Sequence, residues 1–249
     1  MADLGVMRSR PNAQPNQSLI DGIITLQALA TSPEPIGCRE LARRLGFEPT
    51  RVNRLLKTLA YLGIARQTAN RKYTGGPGMH VLAAQALFAS GLVRRAVPAL
   101  EELRRFGHTV AMGVLWRDSV SYLYHAPPGV QTSDALGRIG LYPASTGGIG
   151  MALLAQLDDA HVRETYEGHE IPHHANVEAL LSEIHLTRAR GFARVRVRED
   201  TDQHTVAVPV GIPTHSAIGV YGWIPEAAVP EIVEALRHAA ARIEAFDSP

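Results

Sequence analysis

The segment from Pro49 to Leu62 constrains the chain more than any other. Val52, Leu55, Leu56 and Leu59 fall at i, i+3, i+4 and i+7, the spacing of one face of an α-helix. The opposite face carries Thr50, Arg51, Asn53, Arg54, Lys57 and Thr58. Pro49 suits a first helical turn, and Gly63 suits a stop. Such a helix lays its leucines on a core and turns a cationic, hydrogen-bonding side outward. Two helices are predicted ahead of it. Gln17 to Ala30 has Ser18 as a candidate N-cap and Leu19, Ile23, Leu26 and Ala30 on its apolar face. Arg39 to Leu45 has Leu41, Ala42 and Leu45 as its stripe, and Gly46 ends it.

Helix, short helix, tight turn and basic helix in that order make a helix-turn-helix. In that motif the last helix enters the major groove with its first residues at base edges. Arg pairs with guanine and Asn with adenine through two hydrogen bonds each. Thr50, Arg51 and Asn53 are therefore the candidate base readers, and Arg54 and Lys57 reach bases or phosphates. Ile64 to Arg66 and Arg71 to Thr74 then read as two short strands around a polar turn, a wing. Arg66, Arg71 and Lys72 on it would meet phosphate, which fixes register without reading sequence. Residues 17–76 are thus expected to form a winged helix-turn-helix, an operator-DNA-binding unit.

The whole chain, 249 residues at a net charge of +1, carries no global basic field, so nucleic-acid binding requires a local patch. Cys38 is the one cysteine, which excludes an internal disulfide and fits a reducing cytoplasm. It reads as a buried structural thiol. Residues 1–16 are polar and rich in Pro, Asn and Arg, read as a flexible lead without a signal peptide. From Tyr73 to Val93 no charged residue occurs, a length that invites a membrane span. Glycines, Pro77, His80 and Gln85 break it up, and residues 77–92 read instead as a linker helix buried on most sides. Met79, Leu82, Ala83 and Ala86 share one face, with Val81 and Phe88 on another. A second copy of the helix would cover them, so a dimer is expected.

The period changes at Thr109. Thr109–Trp116 and Val120–His125 read as strands around a hairpin at Arg117-Asp118-Ser119, with a third strand at Gly140–Tyr142. The Gly-rich run Pro143–Gly150 opens a helix at Met151–Gln156. Helices are expected at 158–167, 177–190 and 226–246, and strands at 192–198, 205–211 and 217–223. Residues 93–249 thus read as an α+β domain around a mixed sheet.

An enzyme is the rival class: a small-molecule-binding enzyme with an appended DNA-binding unit. The Gly147–Gly150 run matches neither a Rossmann nor a Walker pattern, and no G-x-S-x-G elbow is present. His169, His173 and His174 match no metalloprotease or finger spacing, and read as a solvated loop. No cofactor, metal or catalytic residue is expected.

Four ordered stretches resemble the IclR family of bacterial transcriptional regulators. They are Leu41–Gly46 with Val52–Leu59 and Gly63; Lys72-Tyr73 leading into the linker; Pro143–Gly150 with Met151–Ala155; and Arg190–Ala193 with Val206–Val210. The resemblance implies a winged helix-turn-helix, a GAF/PAS-like effector-binding domain, and a homodimer or homotetramer. It also implies a regulator of a metabolic or catabolic operon, with repression the leading reading and activation left open. Its effectors are organic or aromatic acids or sugar-derived compounds. By position, Ser145, Thr146, Gly147 and Gly148 fall in the effector loop. The chain departs from the family at Val195 (often Asp), Thr205 (often Cys), and Gly219 and Tyr221 (often Ser). These changes imply a less polar pocket with an aromatic wall, suited to a larger or aromatic ligand rather than a two-carbon acid.

Overall fold

Alternation and period build two units that meet in sequence at Gly91–Leu92. The computed structural model describes residues 14–137, 140–197 and 201–244. Most of the expected lead, residues 1–13, lies outside them, as do Arg198 and Phe246.

The first unit holds α1 (Gln17–Ala30), α2 (Cys38–Leu45), α3 (Pro49–Tyr61), β1 (Ala65–Gln67), β2 (Tyr73–Gly75) and α4 (Pro77–Ser90). Leu29, Ile36, Leu41, Val52, Leu56 and Tyr73 form its core. Gly46 ends α2 at φ +66°, a left-handed position that favours glycine, and so sets the tight turn into α3. Ile36 exchanges two backbone hydrogen bonds of 2.8 Å with Tyr73, which stitches the α1–α2 connection to the wing.

Three expectations for this unit are corrected. Asn16, not Ser18, caps α1, its side-chain oxygen accepting from the Leu19 N–H at 3.1 Å. The buried stripe of α1 is Asp21, Thr25 and Leu29, so Leu19 and Ile23 are exposed. Hydrophobic periodicity picked the wrong face because it cannot register a buried acid held by an ion pair. Cys38 is half-buried; its thiol donates to the Pro49 carbonyl at 3.4 Å, and burial raises its pKa. Within the single chain no residue of α4 is buried, and Phe88 is 86% exposed, which leaves bare the apolar surface that a second copy is expected to cover.

The second unit runs α5 (Leu92–Leu103), β3 (Thr109–Trp116), β4 (Ser119–Ala126), β5 (Tyr142–Pro143), α6 (Gly148–Leu154), α7 (Asp159–Tyr166), α8 (Val177–Arg190), β6 (Ala193–Arg196), β7 (Gln203–Val210), β8 (Ser216–Trp223) and α9 (Val229–Glu244). Its sheet has the order β5-β4-β3-β8-β7-β6. Every pairing is antiparallel, where a mixed sheet was expected. The reason is local: β3–β4, β6–β7 and β7–β8 are each joined by short connections, which only antiparallel strands accept.

The two faces of this sheet differ in side-chain size. Val110, Met112, Val206, Val208, Val210, Ile218 and Val220 point to one face and pack under α5 and α9. Each such side chain gains about 1.5–3 kcal/mol on burial. Ala111, Ala193, Ala207 and Ala217 point to the other and pack under α6, α7 and α8. The small residues let α6, buried at every position, lie close on the sheet. A register shift at Met112–Gly113 makes a bulge in the β3–β4 pair. On the α5 side, the Tyr124 hydroxyl donates to the Glu101 carboxylate at 2.5 Å. Thr132 donates to the same oxygen at 2.9 Å, and Arg104 pairs with the other at 2.8 Å. Burial alone would raise the Glu101 pKa; these three donors outweigh it and hold the carboxyl below its ordinary range. Burial, and then the same carboxylate, pushes the Tyr124 hydroxyl up.

Candidate nucleic-acid interface and ligand cavity

In the first unit, the outward side of α3 forms one wall of an open groove. Thr50, Arg51, Asn53, Arg54 and Lys57 line it with Glu48, Thr58 and Tyr61. The pairing Ala65↔Gly75, Arg66↔Thr74 and Gln67↔Tyr73 builds the wing. A turn closed by Arg71 N–H on the Thr68 carbonyl at 3.0 Å joins its strands. Arg54, Lys57, Arg66, Arg71 and Lys72 are all exposed. Among the described residues none of the five is paired with a carboxylate. Arg51 is different, because its guanidinium forms an ion pair with Asp21, which is 1% exposed.

Charge separates between the units. Residues 14–91 hold nine Lys or Arg against four Asp or Glu, a net of +5. Residues 92–249 hold fourteen against nineteen, a net of −5. The near-neutral chain therefore does carry a local basic region, and both of its lysines, Lys57 and Lys72, lie in it.

In the second unit, two cross-strand rows floor a cavity of about 290 Å³. One row is His125–Ala111–Gly219, and the next is Thr109–Tyr221–Thr205. The bulge in β4 brings Tyr122 opposite Gly113 and His125 opposite Ala111, so both reach the cavity although they are three residues apart. Tyr122 meets His125 edge-on with centroids 5.7 Å apart, and Tyr142 at 5.3 Å. Thr146 and Gly147 close the cavity from the loop before α6, and the Thr146 hydroxyl donates back to the Pro143 carbonyl at 2.9 Å. The Tyr221 hydroxyl donates to Gln203 at the far wall. Among the described residues the lining includes three tyrosines, three threonines and one histidine, and neither Lys nor Arg.

The loop before α6 is held from behind. The Ser145 hydroxyl donates to the Pro172 carbonyl at 3.0 Å, and the His174 ring meets the Ser145 carbonyl at 3.3 Å. Of the expected effector positions, Thr146, Gly147, Thr205, Gly219 and Tyr221 line the cavity. Ser145 is spent on Pro172, and Gly148 packs on Thr205. Val195 packs against the α6–α8 core. At Gly219 a Cβ would stand 2.7 Å from the Val206 carbonyl oxygen, so strand packing decides that residue.

The description of the bacterial transcriptional regulator IclR C-terminal domain matches residues 84–245, and that of the IclR helix-turn-helix domain matches residues 25–69. The chain belongs to the IclR family of bacterial transcriptional regulators. Its relatives include the HTH-type transcriptional regulator BhcR of Paracoccus denitrificans, 29% identical over 188 residues. That match covers 69% of this chain and 64% of BhcR, short of two thirds of the relative's length. The Pca regulon regulatory protein of Pseudomonas putida is 26% identical over 78% of this chain and 68% of its own. The fold is that of an IclR regulator from Brucella abortus, with a TM-score of 0.74 and 21% identity over 99% of this chain and 97% of that one. It is also that of an IclR homologue from Microbacterium hydrocarbonoxydans in complex with 4-hydroxybenzoate, TM-score 0.67 and 19% identity over 92% and 98%. Among the described residues no helix is long and apolar enough to cross a membrane.

Within this IclR frame, sequence reasoning missed Thr109, Ala111, Tyr122, His125, Tyr142 and Val197 of the lining. Thr109 and Ala111 follow from strand alternation once the buried face of β3 is known. Tyr122 and His125 do not, because the bulge breaks the period of two. His169 and His173 lie in the α7–α8 connection, and no group of three or more metal-ligating side chains forms among the described residues.

Proposed function

We propose that the chain is a ligand-responsive, DNA-binding transcriptional regulator that senses a one-ring aromatic acid or phenol in the cavity of its second unit. The observation that carries the DNA half is the set of exposed cations on α3 and the wing, free of carboxylates among the described residues, within a net +5 region. Thr50, Asn53 and Arg54 sit at base edges. Lys57, Arg66, Arg71 and Lys72 meet phosphates. Residues 17–76 act as the reading domain, residues 77–92 as the linker, and residues 93–249 as the sensing domain.

The ligand half rests on the cavity's size and walls. About 290 Å³ lies at the small end of the ~300–1,000 Å³ of ligand sites, room for a single ring. Tyr122, Tyr142 and Tyr221 supply flat apolar walls, and His125, Thr109, Thr146 and Thr205 supply polar groups for a carboxylate or hydroxyl. The family relative that holds 4-hydroxybenzoate supports this ligand class.

The chain works in the cytoplasm as a homodimer, or as a homotetramer built from it, with copies meeting through the exposed apolar residues of α4, Val81, Leu82 and Phe88. The ligand binds the two arrangements of the assembly unequally and so shifts the spacing of the reading helices. A coupling of ~1–3 kcal/mol would change DNA affinity about 5–150-fold. Repression relieved by ligand is the mode proposed, and no turnover accompanies binding.

The test uses calorimetry with 4-hydroxybenzoate, benzoate and glyoxylate as probes, then duplex binding with and without the probe that binds. A ring acid should bind and change duplex affinity, and Tyr122→Ala should weaken it. Binding of glyoxylate alone, or consumption of a probe, would contradict the reading.

A further inference from the structure

One cation of the α3 groove, Arg51, is engaged by a carboxylate of the same unit. Asp21 on α1 is 1% exposed, and it sits where α1 crosses α3. Its Oδ2 pairs with the Arg51 guanidinium, and its Oδ1 accepts from the Gln17 amide at 2.9 Å. The Arg51 guanidinium also lies over the Phe47 ring, 5.6 Å from its centroid. Leu55, one turn on, lies beside Gly22 of α1. Positions 51 and 55 therefore share the side of α3 that faces α1, while Arg54 and Lys57 are exposed and free of carboxylates among the described residues.

An arginine that reads guanine presents two N–H groups of its fork to the base. To do so here, the guanidinium would have to leave a carboxylate that is almost wholly out of water. An unpaired charge at such a position is strongly disfavoured. The aromatic contact with Phe47 holds the group on the same side.

We infer that Arg51 is a positioning residue that locks α3 to α1 through Asp21, and that sequence is read by Thr50, Asn53 and Arg54 without it. The inference rests on the DNA-reading function proposed above. Arg51 acts on DNA only through the angle at which it holds α3, so its loss weakens all duplexes alike. Arg54, one residue on, discriminates among them.

Selection from a random duplex pool with the full-length chain tests this. Wild type, Arg51→Gln, Arg51→Lys, Arg54→Gln and Asp21→Asn are compared, each checked for folding by circular dichroism. Arg54→Gln should lose preference at one position of each half-site, about 5–150-fold there. Arg51→Gln and Asp21→Asn should enrich the wild-type motif, with affinity for motif and scrambled duplex lowered by one common factor. Arg51→Lys keeps a cation for Asp21 but loses the guanine-matching fork, and it should retain wild-type affinity and motif. It decides the matter even where Arg51→Gln does not fold. Loss of one base preference in Arg51→Lys, with Asp21→Asn indistinguishable from wild type, would overturn the inference. A wild type that enriches no motif would instead overturn the DNA-reading function itself.

Discussion

Neutralising the wing should flatten the salt dependence of duplex binding by a calculable amount. Each phosphate neutralised in B-DNA contributes about −0.9 to the slope of log affinity against log salt. Four phosphate-facing cations per reading unit, Lys57, Arg66, Arg71 and Lys72, give a slope of about −3.6. From 50 to 200 mM salt, affinity per unit then falls about 150-fold. The triple change Arg66→Gln, Arg71→Gln, Lys72→Gln removes three contacts, leaving a slope of about −0.9 and a loss of only about 3.5-fold. Two engaged units double both slopes. All three side chains are exposed, so thermal stability should stay within about 0.5 kcal/mol of wild type. Fluorescence anisotropy of a labelled duplex across a KCl series reads the slopes directly. A triple variant whose slope matches wild type would refute the placement of the wing on phosphates.

Three further outcomes follow from the packing. Gly148→Ala puts a methyl 2.8 Å from the Thr205 Cγ2 and 3.1 Å from its carbonyl oxygen, and should lower stability by about 1–3 kcal/mol in a thermal melt. An unchanged melt would mean that α6 does not lie so close to β7. The Glu101 carboxyl, lowered in the fold, contributes stability above the ordinary glutamate range of about pH 4.3 and loses it as pH falls through the folded value. Glu101→Gln should therefore flatten the acid limb of urea-measured stability, and a limb of unchanged steepness would assign it to other carboxylates. Phe88→Glu, at a position 86% exposed, should shift sedimentation toward monomer while preserving the helical signal, and an unchanged assembly state would remove α4 from the interface.

The reading unit was legible because its constraints are local. Val52, Leu56 and Leu59 declare the buried side of α3, and Gly46 and Pro49 mark its approach. The same logic failed on α1. A row of apolar residues at Leu19 and Ile23 outweighed Asp21, whose burial depends on a partner thirty positions away. In the second unit the elements were readable and their arrangement less so. Short connections dictate antiparallel pairing, yet strand periodicity alone suggested a mixed sheet. The cavity was half legible. Thr205, Gly219 and Tyr221 were found by resemblance. Tyr122 and His125 became neighbours only through an extra residue in β4 that no local pattern announces.

The opposite charges of the two units bear on how such a protein searches a chromosome. Bulk DNA offers about 10⁶–10⁹ decoy positions, and a chain cationic throughout would be sequestered by them in any orientation. Here a net −5 sensing unit is repelled by the polyanion while the +5 reading unit is drawn to it. Contacts through the reading unit are thereby favoured over contacts through the sensing unit, and a wrong landing on the latter is short-lived.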